Sequence, residues 1–278
     1  MKKVLIISII FLAFGLPAFG EQTGEEVLKS IVKIQAIIPK EAFTAGTLGT
    51  EREGNGVIID AQGHILTTGY LIIEAEKIQV SVQGEEKPIK AFFVGYDHAT
   101  GFGLLRTEKP CNVKPIKIGQ SGKIKEGTPL LIASYGGKEA AQVVRVISRK
   151  KFAGYWEYLL EEPFYTIPAF ANYGGAALIN IDGELVGIGS LLSQFLIPGL
   201  GTVPCNVSIP IDLLNPILED LITKSRPQKE PRPWLGINAE EAHGRIFITR
   251  IISGGPAEED LNNSFPFQLS YFLGRESQ

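Results

Sequence analysis

The chain has 278 residues, 44% of them hydrophobic, and a formal charge of −3 without a basic block, which excludes a nucleic-acid-binding signature. Its 31 glycines and 17 prolines favour many tight turns over long helices. Cys111 and Cys205 are its two cysteines and have no metal-ligand spacing; they either pair, which export permits, or stay as partly buried free thiols.

Met1-Lys2-Lys3 precedes an apolar run from Val4 to Phe19, and Ala18-Phe19-Gly20 offers small residues at its end. This predicts a signal peptide over residues 1–20, cleaved after Gly20, against the alternative of a retained anchor helix. The run falls short of the ~20 residues that span a bilayer, so no membrane span is expected after cleavage. The remaining 258 residues would carry −5 once Lys2 and Lys3 leave. The expected location is periplasmic or secreted.

Glu25 to Ile34 reads as a short amphipathic helix running into a strand. Gly56 to Asp60, a turn at Ala61-Gln62-Gly63, and His64 to Thr67 predict a β-hairpin. Further strands are expected at 78–82, 90–96, 103–106, 129–134 and 143–148. A second hairpin is expected over 177–180 and 185–188, turned by Asp182-Gly183. This density of short strands points to an all-β sandwich or β-barrels and disfavours a doubly wound α/β fold. A helix is predicted over Pro210–Ile222, with Leu213, Leu214, Ile217, Leu218, Leu221 and Ile222 on one face, Asp212 as cap and Pro216 in the first turn. Residues 223–231, charged and proline-bearing, read as a linker.

Four segments in register resemble the HtrA/DegP-type serine proteases. Gly54-Asn55-Gly56 through Asp60, with Gly63 to Thr67, is similar to the family's G-x-G opening and its I-L-T strand. Asn172 to Gly187 resembles the segment around the nucleophile. Ser208 to Leu214 resembles the exit from the second barrel. Arg232 to Ile237, with Arg250 to Ala257, resembles the start of a PDZ domain. The resemblance implies an all-β chain of two six-stranded β-barrels of the trypsin-like fold, followed by a partial PDZ-like segment. The implied domains are 21–222 for the protease fold, 223–231 for the linker and 232–278 for the truncated PDZ-like segment.

The resemblance also places the family's catalytic positions. The base position falls on Tyr70, the acid position on Gly101 in Asp97-His98-Ala99-Thr100-Gly101, and the nucleophile position on Tyr173 in Asn172-Tyr173-Gly174-Gly175. A hydroxyl nucleophile needs an adjacent base, a phenol with a reference pKa of ~10 is a poor one, and glycine cannot orient an imidazole. Tyr173 would fill the pocket for the scissile carbonyl. Ala171, Asn172 and Gly174 would form the oxyanion-like loop, with Ala171 where glycine is usual. His64 lies six residues before Tyr70, about 20 Å along an extended strand. His98, three residues before Gly101 and beside Asp97, is read as an exposed loop histidine against the alternative of a replacement base, and His243 falls in the PDZ-like segment. Ser134 and Ser190 read as strand-end or core residues. Asn206-Val207-Ser208 matches a glycosylation sequon by chance. The aromatic run Phe152 to Tyr158 is either core packing or a binding surface.

Trp234, Leu235, Gly236 and Ile237 resemble the PDZ loop that catches a peptide carboxylate, while the half-length segment makes peptide capture doubtful. Three functions follow from the resemblance. One is a proteolytically inactive homologue that binds polypeptides or envelope proteins. Another is an active endopeptidase in envelope protein quality control, and the third is a non-functional remnant. No cofactor, metal or nucleic acid is expected, and homo-oligomerisation is possible.

Overall fold

The computed structural model describes residues 23–154, 158–199, 201–228, 234–242 and 245–263. A short helix, α1 (Thr23–Lys29), opens it, with Glu25 and Glu26 in its first turn and Lys29 in its last, the charge order that a helix dipole favours. Then come β1 (Ile31–Ile37), the one-turn helix α2 (Ala45–Leu48), β2 (Glu51–Ile58), β3 (His64–Thr68), β4 (Lys77–Ser81), β5 (Ile89–Tyr96) and β6 (Phe102–Thr107). The strands pair in the order β1-β2-β3-β6-β5-β4, and β4 closes on β1 to make a barrel.

β7 (Pro129–Ala133) and β8 (Ala141–Ser148) begin a second closed barrel. A two-stranded ribbon of β9 (Phe152–Ala153) and β10 (Leu159–Leu160) interrupts it. The barrel continues with β11 (Phe164–Ile167), β12 (Ala177–Ile179), β13 (Leu185–Ile197) and β14 (Gly201–Pro210), in the order β11-β14-β13-β12-β7-β8.

Alternation in β1 shows how one strand serves two cores. Val32, Ile34 and Ala36 point into the first barrel with Ile58, Ile65 and Leu105. Ile31 points the other way and joins Leu66, Phe102, Leu104, Ala177, Leu185 and Ile209, a cluster drawn from both barrels. Strand segments buried on both faces read as unbroken apolar runs, as in Ile65-Leu66. Leu130, Val144, Phe164 and Leu178 fill the second barrel. Fully burying a side chain such as Phe102 contributes about 2–3 kcal/mol, so the shared cluster makes the barrel junction a core in its own right.

Both expected hairpins form. In the first, Val57 pairs with Leu66 and Ile58 with Ile65. The Asp60 carboxylate ties the turn by accepting from the Gln62 and His64 amides at 3.0 Å each, and Gly63 takes φ +83°.

The helix expected over Pro210–Ile222 is a correction. The chain makes a 3-10 turn at Ile211–Leu213, and an α-helix, α3, covers only Leu218–Lys224. Pro216 lacks an N–H and disfavours helix at the residue before it. Asp212 does not cap this helix. Its carboxylate accepts from the Ser121 and Gly122 amides at 2.9 and 2.7 Å, and its own amide donates to the Ser121 hydroxyl at 3.1 Å. α3 lies on the first barrel, where the Tyr96 amide donates to the Ser225 carbonyl.

β15 (Ile237–Ala242), β16 (Arg245–Ile251) and α4 (Pro256–Asn263) complete the described residues. The expected signal peptide, residues 155–157 of the aromatic run, His243 and the last fifteen residues lie outside them.

Candidate functional site

The site lies where β2, the turn after β3 and the loop before β12 meet. Tyr173, Gly174, Gly175 and Ala176 form a tight turn closed by the Ala176 amide on the Tyr173 carbonyl at 2.9 Å. Gly175 sits at φ +73°, and a side chain there would strike the Asn55 carbonyl and the Thr67 hydroxyl, both within 2.7 Å of a Cβ. The turn is therefore pressed against the first barrel, and only glycine fits.

Asn55 does the pressing. Its amide donates to the Gly174 carbonyl at 2.8 Å, and its side-chain nitrogen donates to the Asn172 and Gly174 carbonyls. Its side-chain oxygen accepts from the Tyr135 amide at 2.9 Å, and its carbonyl accepts from the Thr67 hydroxyl at 2.6 Å. The other end of the loop is fixed from within the second barrel. Fully buried Asn206 accepts from the Phe170 amide at 2.7 Å and donates to the Phe170 carbonyl at 3.1 Å. Ala171 and Asn172 are exposed at the loop's crest.

The structure brings the three expected positions together. Tyr70 lies in the 3-10 turn Gly69–Leu71, and its hydroxyl stands 2.9 Å from where a Gly174 side chain would begin. The Gly69 amide donates to the Gly101 carbonyl at 2.8 Å, which brings Gly101 beside the Tyr70 turn. Tyr173, half-buried, begins the glycine turn.

Two residues with no motif signal complete the arrangement. Ser190 is fully buried where the β13 register shifts between Gly189 and Leu191. Its carbonyl accepts from the Tyr70 hydroxyl at 2.9 Å, and its hydroxyl bonds the Tyr158 hydroxyl. Tyr158 packs near Phe152 at 6.5 Å between ring centroids, so this part of the aromatic run is packing. Gly101 holds φ +84°, and three carbons of the Tyr158 ring lie within 3.0 Å of the Cβ it lacks.

Arg52 anchors the Tyr70 turn from behind. Its guanidinium donates to the carbonyls of Tyr70 at 2.7 Å, Ile73 at 3.1 Å and Gly49 at 3.2 Å, and to the Thr44 hydroxyl at 2.7 Å. Loss of hydration lowers its pKa, with Glu74 acting in the opposite sense. The Glu74 carboxylate in turn accepts from the Phe43 and Thr44 amides and the Thr44 hydroxyl.

Neither described histidine is engaged with the three positions. His64 holds Asp60 at 2.6 Å through Nδ1, at the far end of β3 from Tyr70. His98 meets the Tyr96 ring at a 55° tilt with centroids 4.2 Å apart, and loss of hydration pushes its imidazole below the ordinary value while Asp97 pulls it up. Asp97 is committed to its own turn, accepting from the Ala99 and Thr100 amides and the Thr100 hydroxyl. Ser134, nearly buried, follows β7. Cys111 and Cys205 are both free thiols, one after β6 and the other within β14. A shallow cavity of about 400 Å³ lies elsewhere, lined by Glu26, Lys29, Glu85 and Lys114 among others.

In the C-terminal segment, the Leu235 and Gly236 carbonyls accept from the Ala257 and Ile252 amides at 3.0 and 2.8 Å. Gly236 takes φ +72°, and Ile237 opens β15. Trp234 meets Phe43 of the first barrel edge-on at 6.5 Å.

A family model described as a trypsin-like peptidase domain matches residues 54–188. A probable periplasmic serine protease, do/HhoA-like, of Haemophilus influenzae is 29% identical over 200 residues, covering 69% of this chain and 41% of its own. The periplasmic pH-dependent serine endoprotease DegQ of Escherichia coli is 27% identical over 250 residues, covering 88% and 52%. The chain thus spans about half the length of the curated relatives it matches. Among solved structures, the HtrA-type protease AlgW with a tripeptide aligns at a TM-score of 0.59 and 20% identity, over 87% of this chain and 79% of that one, a likeness of fold.

Proposed function

Because the chain is a homologue of the HtrA/DegP-type trypsin-like serine proteases, we propose that it is a proteolytically inactive member that works by binding polypeptides. The observation that carries this reading is the bond from the Tyr70 hydroxyl to the Ser190 carbonyl. The side chain at the base position is a phenol already committed as a donor, so it has no means of taking a proton from a nucleophile. Gly101 offers no carboxylate at the acid position, and Tyr173 puts a phenol at the nucleophile position, with neither described histidine engaged with it. Ala171, Asn172 and Gly174 make a crest without a group to acylate. Fold membership alone does not supply catalysis.

The names of the relatives support a periplasmic location. Export by residues 1–20 with cleavage after Gly20 belongs to the same proposal. So do the division at 222 and 232, the PDZ-like character of the last segment and self-association. Among the described residues no helix is long and apolar enough to cross a membrane. Polypeptide partners are the reading favoured by the fold, since the AlgW structures hold peptides.

The test is direct. The chain from residue 21, incubated with unfolded casein beside an active relative, is expected to leave casein intact and to take no label from a serine-directed fluorophosphonate. Casein cleavage that disappears in Tyr173→Ala would end the proposal and favour an active endopeptidase.

A further inference from the structure

Gly101, in the first barrel, and Tyr158, in the β9–β10 ribbon, lie far apart in the chain, yet they share one volume. Gly101 ends the turn of Asp97 to Gly101 before β6 of the first barrel, and Tyr158 precedes β10 in the ribbon that interrupts the second barrel. Three ring carbons of Tyr158 occupy the space within 3.0 Å of the missing Cβ at 101. The same ring ends in a hydroxyl bonded to the hydroxyl of fully buried Ser190. Tyr70 approaches the same residue from the first barrel and satisfies its carbonyl. Ser190 is thus capped by two phenols, one on its side chain and one on its backbone, at the point where the β13 ladder is irregular.

Close-packed interiors leave little slack for an added carbon at this distance. We infer that Tyr158 is a plug. Its ring takes the volume over Gly101, and with Tyr70 it seals Ser190 and the junction of the barrels from any polypeptide on the surface. The inference rests on the reading of a non-catalytic site and deepens it, because binding then takes place away from Ser190 and the barrel junction. It also means that side chains restored at positions 70, 101 and 173 do not make a working site, since a carboxylate at 101 meets the Tyr158 ring.

A double-mutant cycle between Gly101→Ala and Tyr158→Ala, read by urea unfolding, tests the shared volume. The left-handed backbone strain of an alanine at 101 is the same in both backgrounds and cancels. The ring clash exists only with Tyr158 present. Gly101→Ala is therefore expected to lower the folding equilibrium constant more with Tyr158 than without it, by about tenfold or more. Equal effects in the two backgrounds overturn the shared volume. If Tyr158→Ala does not fold, Tyr158→Leu replaces it, since it lacks the outer ring atoms.

Accessibility tests the seal. In a Cys111→Ser background, a thiol introduced by Ser190→Cys is expected to resist iodoacetamide. Tyr158→Ala should speed its labelling by about tenfold or more while unfolding remains cooperative, and Tyr158→Phe should leave it protected. Rapid labelling with Tyr158 in place overturns the plug, and so does continued protection in Tyr158→Ala. Casein cleavage by the unaltered chain would defeat the non-catalytic reading without touching the cycle. Additivity in the cycle would defeat the plug while leaving inactivity standing.

Discussion

Asn55 reaches from the first barrel and donates from one side-chain nitrogen to the carbonyls of both Asn172, at 3.0 Å, and Gly174, at 3.1 Å. Its oxygen meanwhile accepts from the Tyr135 amide. One side chain thereby fixes two separate segments of the second barrel. Asn55→Ala takes this partner from the Tyr135 amide and the Asn172 carbonyl, while the Gly174 carbonyl keeps the Asn55 amide, and is expected to cost about 1–3 kcal/mol in urea unfolding. Asn55→Asp is expected to be at least as damaging, because a carboxylate cannot donate to the two carbonyls.

Gly175 and Gly84 both hold positive φ, +73° and +90°, and differ in their surroundings. Nothing lies within 4 Å of a side chain added at Gly84, whereas Gly175 is hemmed in by Asn55 and Thr67. Gly84→Ala should cost the backbone strain alone, about 1–2 kcal/mol. Gly175→Ala should cost clearly more than that, or prevent folding, as judged by yield of cooperative unfolding material. Similar stabilities for the two variants would contradict the close approach described for the glycine turn.

The guanidinium of Arg52 serves three carbonyls and one hydroxyl, a pattern that an ammonium cannot reproduce. Arg52→Lys is expected to destabilise the chain by about 2–4 kcal/mol by thermal or urea unfolding, despite keeping the charge.

Glu74 gives a pH signature. Burial raises its pKa, but the Thr44 side chain and amide, the Phe43 amide and Arg52 outweigh burial and hold it below the ordinary 4.5. A carboxyl depressed in the folded state stabilises above its unfolded pKa, and this contribution is lost as pH falls through the folded value. Melting curves from pH 7 to 3 should therefore show a steeper acid limb in the unaltered chain than in Glu74→Gln. Other depressed carboxyls, such as Glu53 and Glu184, titrate in the same range, so the difference between the two curves is the readout.

Burial pushes the Cys205 thiol up to about 11, and Cys111 is raised by burial as well. The thiolate is the reactive form, so at pH 8 the folded chain should react slowly at Cys111 and not at Cys205. Both should react in guanidinium without reductant. A missing thiol in that titration would signal a disulfide.

The sequence made the first hairpin legible because its turn chemistry is local: Asp60 bonds amides two and four residues on. The helix expected over 210–222 failed because Asp212 has its partners some ninety residues away, at Ser121 and Gly122. The positions 70, 101 and 173 could be picked out through a resemblance, and the fold brings them together. Asn55, Tyr158 and Ser190 could not. Asn55 stood in the motif as an ordinary middle residue, Tyr158 as one aromatic among several, and Ser190 as a core serine. Their roles exist only once the two barrels meet, and no spacing along the chain encodes that meeting.

Barrel closure also sets a timescale. In β1, as in the other strands of both barrels, the ladder has a neighbour on either side, so many amides can exchange with deuterium only when the barrel opens. In the β15–β16 ribbon, as described, each strand pairs with the other alone, and its outer amides need no such opening. A deuterium-uptake map of the intact chain should accordingly show slow exchange through Pro210 and fast exchange beyond Ile237, drawing the boundary between the two parts by clock rather than by contact.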